Sequence, residues 1–96
     1  MKILAIEIEI EGVRPEQYQH HLKTEARQVW QLYQSGVIRE LYFRADRPEA
    51  VLMLECGDVD EARQILSDLP LVQAGLIRFE TVPLAPYPGF ARLFTE

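Results

Sequence analysis

Cysteine, histidine and glycine are scarce in this chain, and each scarcity excludes a class of site. The single cysteine, Cys56, has no partner for an intrachain disulfide. The two histidines, His20 and His21, are adjacent, so on a helix they point to different sides and lack the spacing of metal ligands. The five glycines are scattered and form no phosphate-binding loop. We therefore expect no disulfide framework, no metal centre and no glycine-rich phosphate site.

Long apolar runs and an excess of positive charge are also missing. No segment approaches the roughly 18 consecutive apolar residues of a membrane span, and Glu7 and Glu9 interrupt the first apolar run. The net charge is −5 and the sequence pI is near 5.0. A negative surface disfavours nucleic acid and anionic membranes as partners. We expect a cytoplasmic protein that binds neither.

What is present fits one small globular domain with an α+β pattern. The chain has 96 residues, of which 48% are apolar and 26% charged. The predicted elements are a strand over 3–10, a helix over 15–35, strands over 37–44 and 50–55, a short helix that opens at Asp58, and a strand over 76–82. This order is the split βαβ, ferredoxin-like arrangement βαββαβ, an antiparallel four-stranded sheet with two helices on one face.

Helical and strand periodicities divide the apolar residues between two sides of the sheet. The first helix presents an apolar stripe that we expect to be buried: Tyr18, Leu22, Ala26, Val29, Trp30 and Tyr33. The sheet face under the helices is expected to carry Leu4, Ile6, Ile8, Leu41, Phe43, Leu52, Leu54, Ile77 and Phe79. The opposite face then mixes Ile3, Ala5, Tyr42, Val51, Met53 and Val82 with charged side chains that include Glu7.

That mixed face predicts self-association. It is too apolar to be left wet over its whole area, and too charged to be a dry monomer core. Packing of two copies, sheet against sheet, would bury its apolar part in a homodimer or a higher homo-oligomer. The alternative is an open, partly solvated sheet.

The C-terminal segment, residues 84–96, is distinct from the domain over 1–83. Pro86 and Pro88 prevent a strand from continuing through it, yet it contains four large apolar side chains, Tyr87, Phe90, Leu93 and Phe94. Each gives about 1.5–3 kcal/mol when fully buried. We expect this segment to dock on its own domain or on a neighbouring subunit.

Several short stretches resemble a known family. His21-Leu22-Lys23 with Glu25-Ala26-Arg27, then Ser35-Gly36, Asp58-Val59-Asp60-Glu61-Ala62 and Leu69-Pro70-Leu71, are similar to the muconolactone isomerase-like group of dimeric α+β barrel proteins. The resemblance covers residues 15–84. It implies a homo-oligomer built from dimers whose sheets face one another, with a small cavity between sheet and helices. It also implies chemistry that needs no metal or organic cofactor.

The resemblance directs attention to residues suited to proton transfer. Shifting a lactone double bond requires a base, an acid and a donor that stabilises the developing enolate. His21 is the candidate base, and Glu25, four residues on, is placed to orient it. Tyr42 and Arg44 share a strand face and are candidates for binding a carboxylate or enolate oxygen. The structural alternatives are a helix histidine beside a solvated glutamate, an interface tyrosine and a salt-bridged arginine.

We therefore expect a small cofactor-independent enzyme that isomerises a small lactone or related organic acid. Two alternatives remain at this level. One is a non-catalytic protein of the same fold that binds a small ligand or a partner, because fold alone does not give function. The other is a cofactor-free monooxygenase.

Overall fold

A computed structural model describes residues 1–95 of the chain. Its strands are β1 (Lys2–Glu9), β2 (Ile38–Phe43), β3 (Ala50–Glu55) and β4 (Ile77–Leu84); its helices are α1 (Pro15–Tyr18), α2 (Leu22–Gln34), α3 (Val59–Ser67) and α4 (Pro70–Gln73), with a 3-10 helix over Gly89–Phe94. The four strands form one antiparallel sheet in the order β2-β3-β1-β4. The predicted ferredoxin-like α+β fold is confirmed.

The first predicted helix is two helices in the structure. α1 begins at Pro15, where a missing N–H costs nothing, and the Gln17 side chain accepts the backbone N–H of Arg14 at 2.8 Å. The chain then turns, and α2 begins after His21. Ser35 is the C-terminal cap of α2, and Gly36 follows with a φ of 83°, a left-handed value that glycine adopts without strain.

The second half of the fold begins with a capped helix. The Asp58 side chain accepts the backbone N–H of Glu61 at 2.8 Å, which satisfies one of the free donors of the first turn of α3. Ala62 and Leu66 of α3 are buried against the sheet. Pro70 ends this helical stretch as expected and starts α4, a single turn that the sequence pattern did not indicate.

The face prediction was wrong for β1 and right for the strands beside it. Ile3 and Ala5 are completely buried in the core and pair with Leu54 and Leu52, while Glu7, which follows them on the same face, is also buried. The alternate residues of β1 are on the outside. The face of a strand is set by its pairing register, and a shift of one residue exchanges the two faces.

The sheet face away from the helices, which we call the outer face, is consequently more apolar than predicted. Its apolar residues, grouped by the pairing register, are Leu4, Ile6, Ile8, Tyr42, Val51, Met53 and Val82. Charge remains at its margin, where Ile6 pairs with Glu80 and Ile8 pairs with Arg78. The described chain offers no layer to cover this face.

The helix stripe was also predicted partly wrongly. Val29 and Leu32 pack against the core, whereas Trp30 and Tyr33 are largely exposed and their rings stack at a centroid distance of 5.9 Å. The inner side of α2 is therefore rotated away from the aromatic pair. No helix within residues 1–95 has both the length and the apolar character needed to cross a bilayer.

The C-terminal segment is mostly exposed to solvent. β4 runs two residues beyond the predicted strand over 76–82, through Pro83 to Leu84. Tyr87 and Phe90 pack edge to face at 5.1 Å, but both remain exposed, and Phe94 is 85% exposed. Within the subunit these aromatic side chains make little contact with the core. Where the segment docks stays a prediction.

Candidate functional site

A cavity of about 340 Å³ lies between the sheet and the helices α2 and α4. Its walls are mostly apolar, and they are built from α2 (Leu22, Ala26, Val29), from β2 and β3 (Leu41, Phe43, Ala50, Leu52) and from Leu69, Leu71 and Phe79. Only three lining residues carry polar side-chain atoms: Glu7, Glu25 and Tyr42. The volume lies near the lower end of the range for small-molecule sites.

Glu25 reaches the cavity from the first turn of α2. Its Oε1 accepts the backbone N–H of Leu71 at 2.9 Å, so this side chain joins α2 to α4. Burial raises the pKa of the Glu25 carboxyl, and the Leu71 hydrogen bond and the nearby charge of His21 offset part of that rise. The net effect is a Glu25 pKa above the ordinary value, and a carboxyl perturbed by burial in a cleft is a candidate for a functional role.

Glu7 reaches the same cavity from the centre of β1. It is only 8% exposed, and its Oε1 accepts the backbone N–H of Ala50 at 3.2 Å. Burial raises the pKa of the Glu7 carboxyl; the Ala50 hydrogen bond opposes this, and repulsion from Glu9, Glu49 and Glu25 adds to it. Sequence reasoning placed Glu7 on the outer face and so missed it. The available signal was a carboxylate in the middle of a central strand, where burial is costly without a role.

Two carboxyl groups in one apolar cavity form an acid–base pair. Burial is the largest cause of the raised pKa of each carboxyl, and the charge of Glu25 adds a smaller increase to the pKa of Glu7. The arrangement can therefore accept a proton at one carboxylate and return one from the other. This is the chemical capability of the cavity.

His21 lies beside the cavity and not in its wall. It occupies the residue before α2, and its backbone carbonyl accepts the N–H of Glu25 at 2.8 Å, as the first helical turn requires. Its half-buried imidazole makes no hydrogen bond to Glu25 among the described residues. The two predicted catalytic residues are thus neighbours, and Glu25 alone lines the cavity.

Tyr42 and Arg44, the predicted binding residues, are separated by their environments. Tyr42 is at the cavity rim, 61% exposed, and its hydroxyl donates to Oε1 of Glu40 at 2.9 Å, a bond that raises the pKa of the Tyr42 phenol. Arg44 is outside the wall. Its Nε and Nη2 contact the two carboxylate oxygens of Asp46 at 2.9 and 2.7 Å, and Nη1 lies 3.7 Å from Glu49. The guanidinium fork is therefore already occupied.

A second, more open groove adjoins the cavity and shares four lining residues with it, Ala26, Val29, Leu41 and Tyr42. It has a volume of about 500 Å³ and is lined by Trp30, Tyr33 and Arg39 among others. Arg39 donates from Nε to the carbonyl of Gly36. Among residues 1–95, no group of three or more histidine, cysteine or acidic side chains is arranged to hold a metal ion.

Comparison with known proteins gives a family and a fold. A family model described as muconolactone delta-isomerase matches residues 4–89. No curated protein sequence gives a significant match. Among solved structures, a crystal structure of muconolactone isomerase is similar with a TM-score of 0.73 and 18% identity, over 92% of each chain.

A second solved structure has the same fold but belongs to an enzyme named for a different reaction. It is the 5-chloro-2-hydroxyhydroquinone dehydrochlorinase from Burkholderia phenoliruptrix, in complex with 2,5-dihydroxybenzoquinone, with a TM-score of 0.62 and 17% identity over 93% of this chain and 98% of that one. At these identities the structural likeness shows the fold alone.

Proposed function

Because this chain belongs to the muconolactone delta-isomerase family, we propose that it is a small cofactor-independent enzyme that isomerises an unsaturated lactone or a related small molecule by proton transfer. The observation that carries the proposal is the meeting of Glu7 and Glu25 in one apolar cavity. Both carboxyls have a raised pKa, which suits general acid–base chemistry.

The environments of the two carboxyls suggest their roles. Glu25 has a short backbone hydrogen bond and a nearby histidine charge, both of which favour its ionised form. Glu7 has a longer hydrogen bond and three neighbouring carboxylates that favour its protonated form. Glu25 is therefore proposed as the base and Glu7 as the acid.

The reaction would then move one hydrogen and one double bond, with no gain or loss of atoms. Glu25 takes a proton from a carbon conjugated with the lactone carbonyl, and the electron pair of that C–H bond forms a new double bond. Charge develops on the carbonyl oxygen. Glu7 gives a proton to a second carbon, which restores the carbonyl. The proton held by Glu25 then returns to Glu7, directly or through solvent, so that both carboxyls regain their starting states. The apolar walls keep water from the intermediate.

The other predicted residues take supporting roles in this scheme. Tyr42 directs its hydroxyl to Glu40 on the outer face, so a direct role in substrate binding requires that bond to break and the side chain to turn toward the cavity. His21 is proposed as a positioning residue that acts on Glu25, because its charge lowers the pKa of that carboxyl and so opposes part of the effect of burial. Arg44 is held by Asp46 and Glu49, so a direct role in substrate binding requires that pairing to break.

Replacing the base by its amide tests the proposal most directly. We expect Glu25→Gln to lower kcat for a small unsaturated lactone by about 100-fold or more, the usual size of a general-base contribution, because an amide cannot take a proton. Glutamine can still accept the Leu71 N–H, so the fold is retained. The measurement is steady-state isomerisation followed by ultraviolet absorbance.

Glu11→Gln is the matched control, since it removes the same charge at an exposed residue and should leave kcat unchanged. The proposal fails if the wild-type protein turns over no unsaturated lactone, or if Glu25→Gln keeps full activity.

A non-catalytic ligand-binding protein of this fold is the second candidate. The observation in its favour is that no hydroxyl among the lining residues is directed into the cavity, because the Tyr42 hydroxyl donates to Glu40 on the outer face. A binder would take up a small ligand in the cavity without converting it. Binding with no turnover in the wild-type protein decides for this candidate.

We also propose that two copies pack with their outer faces together, and that the C-terminal segment docks on a neighbouring subunit. The apolar residues of the outer face and the four exposed side chains Tyr87, Phe90, Leu93 and Phe94 support this. Removal of residues 85–96 should weaken association measured by analytical ultracentrifugation. An unchanged association constant would contradict the docking of the segment.

A further inference from the structure

We propose that Glu49 is a positioning residue for Glu7: it joins the turn between β2 and β3, residues 44–49, to the end of β1, and so holds the Glu7 carboxyl in the wall of the cavity. This inference rests on the proposed function for its catalytic consequence, because Glu7 is the proposed acid. Its structural basis is a set of hydrogen bonds at one end of the sheet.

The pairing of β1 with β3 changes in kind at this end of the sheet. The main-chain register between the two strands extends along β1 as far as Ile6. Beyond it, two carboxylates act as the acceptors: Oε1 of Glu7 accepts the N–H of Ala50 at 3.2 Å, and Oε2 of Glu49 accepts the N–H of Glu9 at 3.0 Å. The two glutamates therefore form a reciprocal pair of hydrogen bonds between β1 and the start of β3.

The peptide unit between Glu49 and Ala50 is held at both of its polar groups. The carbonyl of Glu49 accepts the N–H of Arg44 at 2.9 Å, and the N–H of Ala50 donates to Glu7. In a planar trans peptide the C=O and N–H groups point in opposite directions, so a carbonyl directed to Arg44 directs the N–H away from it, toward β1. The N–H of Glu49 itself donates to the carbonyl of Arg47 at 2.8 Å.

The side chain of Glu49 provides a second link between the turn and β1. It is buried, and while Oε2 accepts the N–H of Glu9, Oε1 lies 3.7 Å from a guanidinium nitrogen of both Arg44 and Arg47. A buried carboxylate requires such partners, and they fix its orientation. Removal of this carboxylate would release the turn from the end of β1 and leave the N–H of Ala50 less well placed for Glu7.

The charge of Glu49 acts on the same group. It raises the pKa of Glu7, as do the charges of Glu9 and Glu25, in addition to the larger effect of burial. The charged and titratable groups near Glu7 are Glu9 of β1, Glu49 with Arg44 and Arg47 in the turn, Glu25 of α2 with His21 before it, and Tyr18 of α1. Because the proposed acid must be protonated to act, Glu49 extends the activity to higher pH.

Two substitutions separate the hydrogen bond of Glu49 from its charge. Glu49→Ala removes both, whereas Glu49→Gln keeps an oxygen for the N–H of Glu9 and removes the charge. For a small unsaturated lactone we expect Glu49→Ala to lower kcat about tenfold or more with little change in KM, because a displaced acid affects the chemical step more than binding. Glu49→Gln should recover most of this loss at its own pH optimum.

Glu11→Ala is the matched control, since it makes the same substitution at an exposed residue and should leave kcat unchanged.

The pH profile gives a readout that a merely structural role would not move. In the proposed scheme kcat/KM falls at high pH as Glu7 loses its proton. Glu49→Gln should move this fall to lower pH, because loss of the Glu49 charge lowers the pKa of Glu7.

Two measurements on the full chain without substrate test the inference independently of turnover. Hydrogen exchange of the Ala50 amide, followed by NMR, should be about tenfold or more faster in Glu49→Ala and unchanged in Glu49→Gln, because only the alanine variant loses the link to β1. The titration of the Glu7 carboxyl, followed by its ¹³Cδ resonance, should have a lower midpoint in Glu49→Gln than in the wild type. Circular dichroism checks the fold.

The inference is supported by faster Ala50 exchange in the alanine variant alone, a lower Glu7 midpoint in the glutamine variant and recovered kcat. It is overturned by wild-type Ala50 exchange in a folded Glu49→Ala protein, by an unchanged Glu7 midpoint in Glu49→Gln, or by a glutamine variant as slow as the alanine variant. If Glu49→Ala does not fold, Ala50 exchange and the Glu7 midpoint in Glu49→Gln decide.

A wild-type protein that converts no lactone while both NMR responses occur would contradict the proposed isomerase and leave the assignment of Glu49 to Glu7 standing.

Discussion

The two faces of the sheet differ in a way that a simple view of hydrophobic burial does not anticipate. In β1 the outer face carries three large apolar side chains, Leu4, Ile6 and Ile8, while the inner face under the helices carries Ile3, Ala5 and Glu7. The small side chain of Ala5 and the carboxyl of Glu7 lie on the face beneath α2, and the cavity, which Glu7 lines, is on this side of the sheet. The comparison shows a cavity at the inner face and an uncovered apolar surface at the outer face, which are the features that the two proposals use.

Charging the outer face should produce the largest effect. Ile6→Glu places a carboxylate opposite Val51 and Glu80, and burial of that unpaired charge between two subunits is expected to raise the dimer dissociation constant at least 100-fold, about 2.7 kcal/mol. Sedimentation velocity across a micromolar range measures it. Gln31→Glu, on the exposed side of α2, adds the same charge and should leave association unchanged.

Two results would break the assignment of the outer face to a partner. One is a wild-type protein that sediments as a single chain at micromolar concentration. The other is an Ile6→Glu protein that assembles as well as the wild type.

Placing a larger side chain on the inner face should have an intermediate effect, seen in the free energy of unfolding. Ala5 is completely buried opposite Leu52 and Thr81, so Ala5→Leu must force neighbouring side chains apart and is expected to lower the free energy of unfolding by about 1–3 kcal/mol. Chemical denaturation monitored by Trp30 fluorescence measures it. Ala45→Leu, in the exposed turn, is the matched control, and an Ala5→Leu protein as stable as the control would show that the inner face is not close-packed there.

The two buried carboxyls should give the smallest effect, visible in the pH dependence of stability. The pKa values of Glu7 and Glu25 are raised in the folded chain above the ordinary value of 4.5. Between 4.5 and the folded pKa values the folded state holds more protons than the unfolded state, so stability falls as pH rises through this window. The charges of Glu9 and Glu49 also raise the pKa of Glu7, and the charge of His21 lowers the pKa of Glu25.

Removing both acids should flatten that part of the curve. The double variant Glu7→Gln with Glu25→Gln is expected to lose less stability than the wild type between pH 4.5 and neutral pH, and Glu11→Gln should follow the wild type. Thermal unfolding at matched protein concentration compares them. A double variant with the wild-type slope would mean that the two carboxyls titrate as if exposed.

Local sequence signals were enough for the order of elements. Pro15 marked the start of α1, Gly36 the end of α2 and Asp58 the start of α3. Each residue acts through its own backbone geometry or through a hydrogen bond within one turn. These interactions are short in sequence, so a pattern can reveal them. The family resemblance rested on the same stretches and is confirmed.

The site depended on long-range pairing and was predicted only in part. Glu25 was noticed because its helix and its spacing from His21 are visible in the sequence. Glu7 was missed because its face is decided by pairing with β3 and β4, residues far along the chain. The outer residues of β1, Leu4, Ile6 and Ile8, form a fully apolar set, and this apolarity wrongly indicated that they are the buried ones. A strand can carry apolar side chains on both faces, so apolarity alone does not identify the face under the helices. Whether the predicted site residues act in catalysis stays a prediction.

Pro83 has a consequence for how the sheet can be extended. It lies in β4, a strand at the border of the sheet, opposite Ile3. Proline supplies no N–H, and borders are where strands tolerate that loss. An incoming strand would find one rung of the ladder without a donor, so growth of the sheet sideways is discouraged at this border. At the β4 border, Pro83 therefore favours contact by stacking of layers over lateral pairing of strands, while β2 at the other border contains no proline.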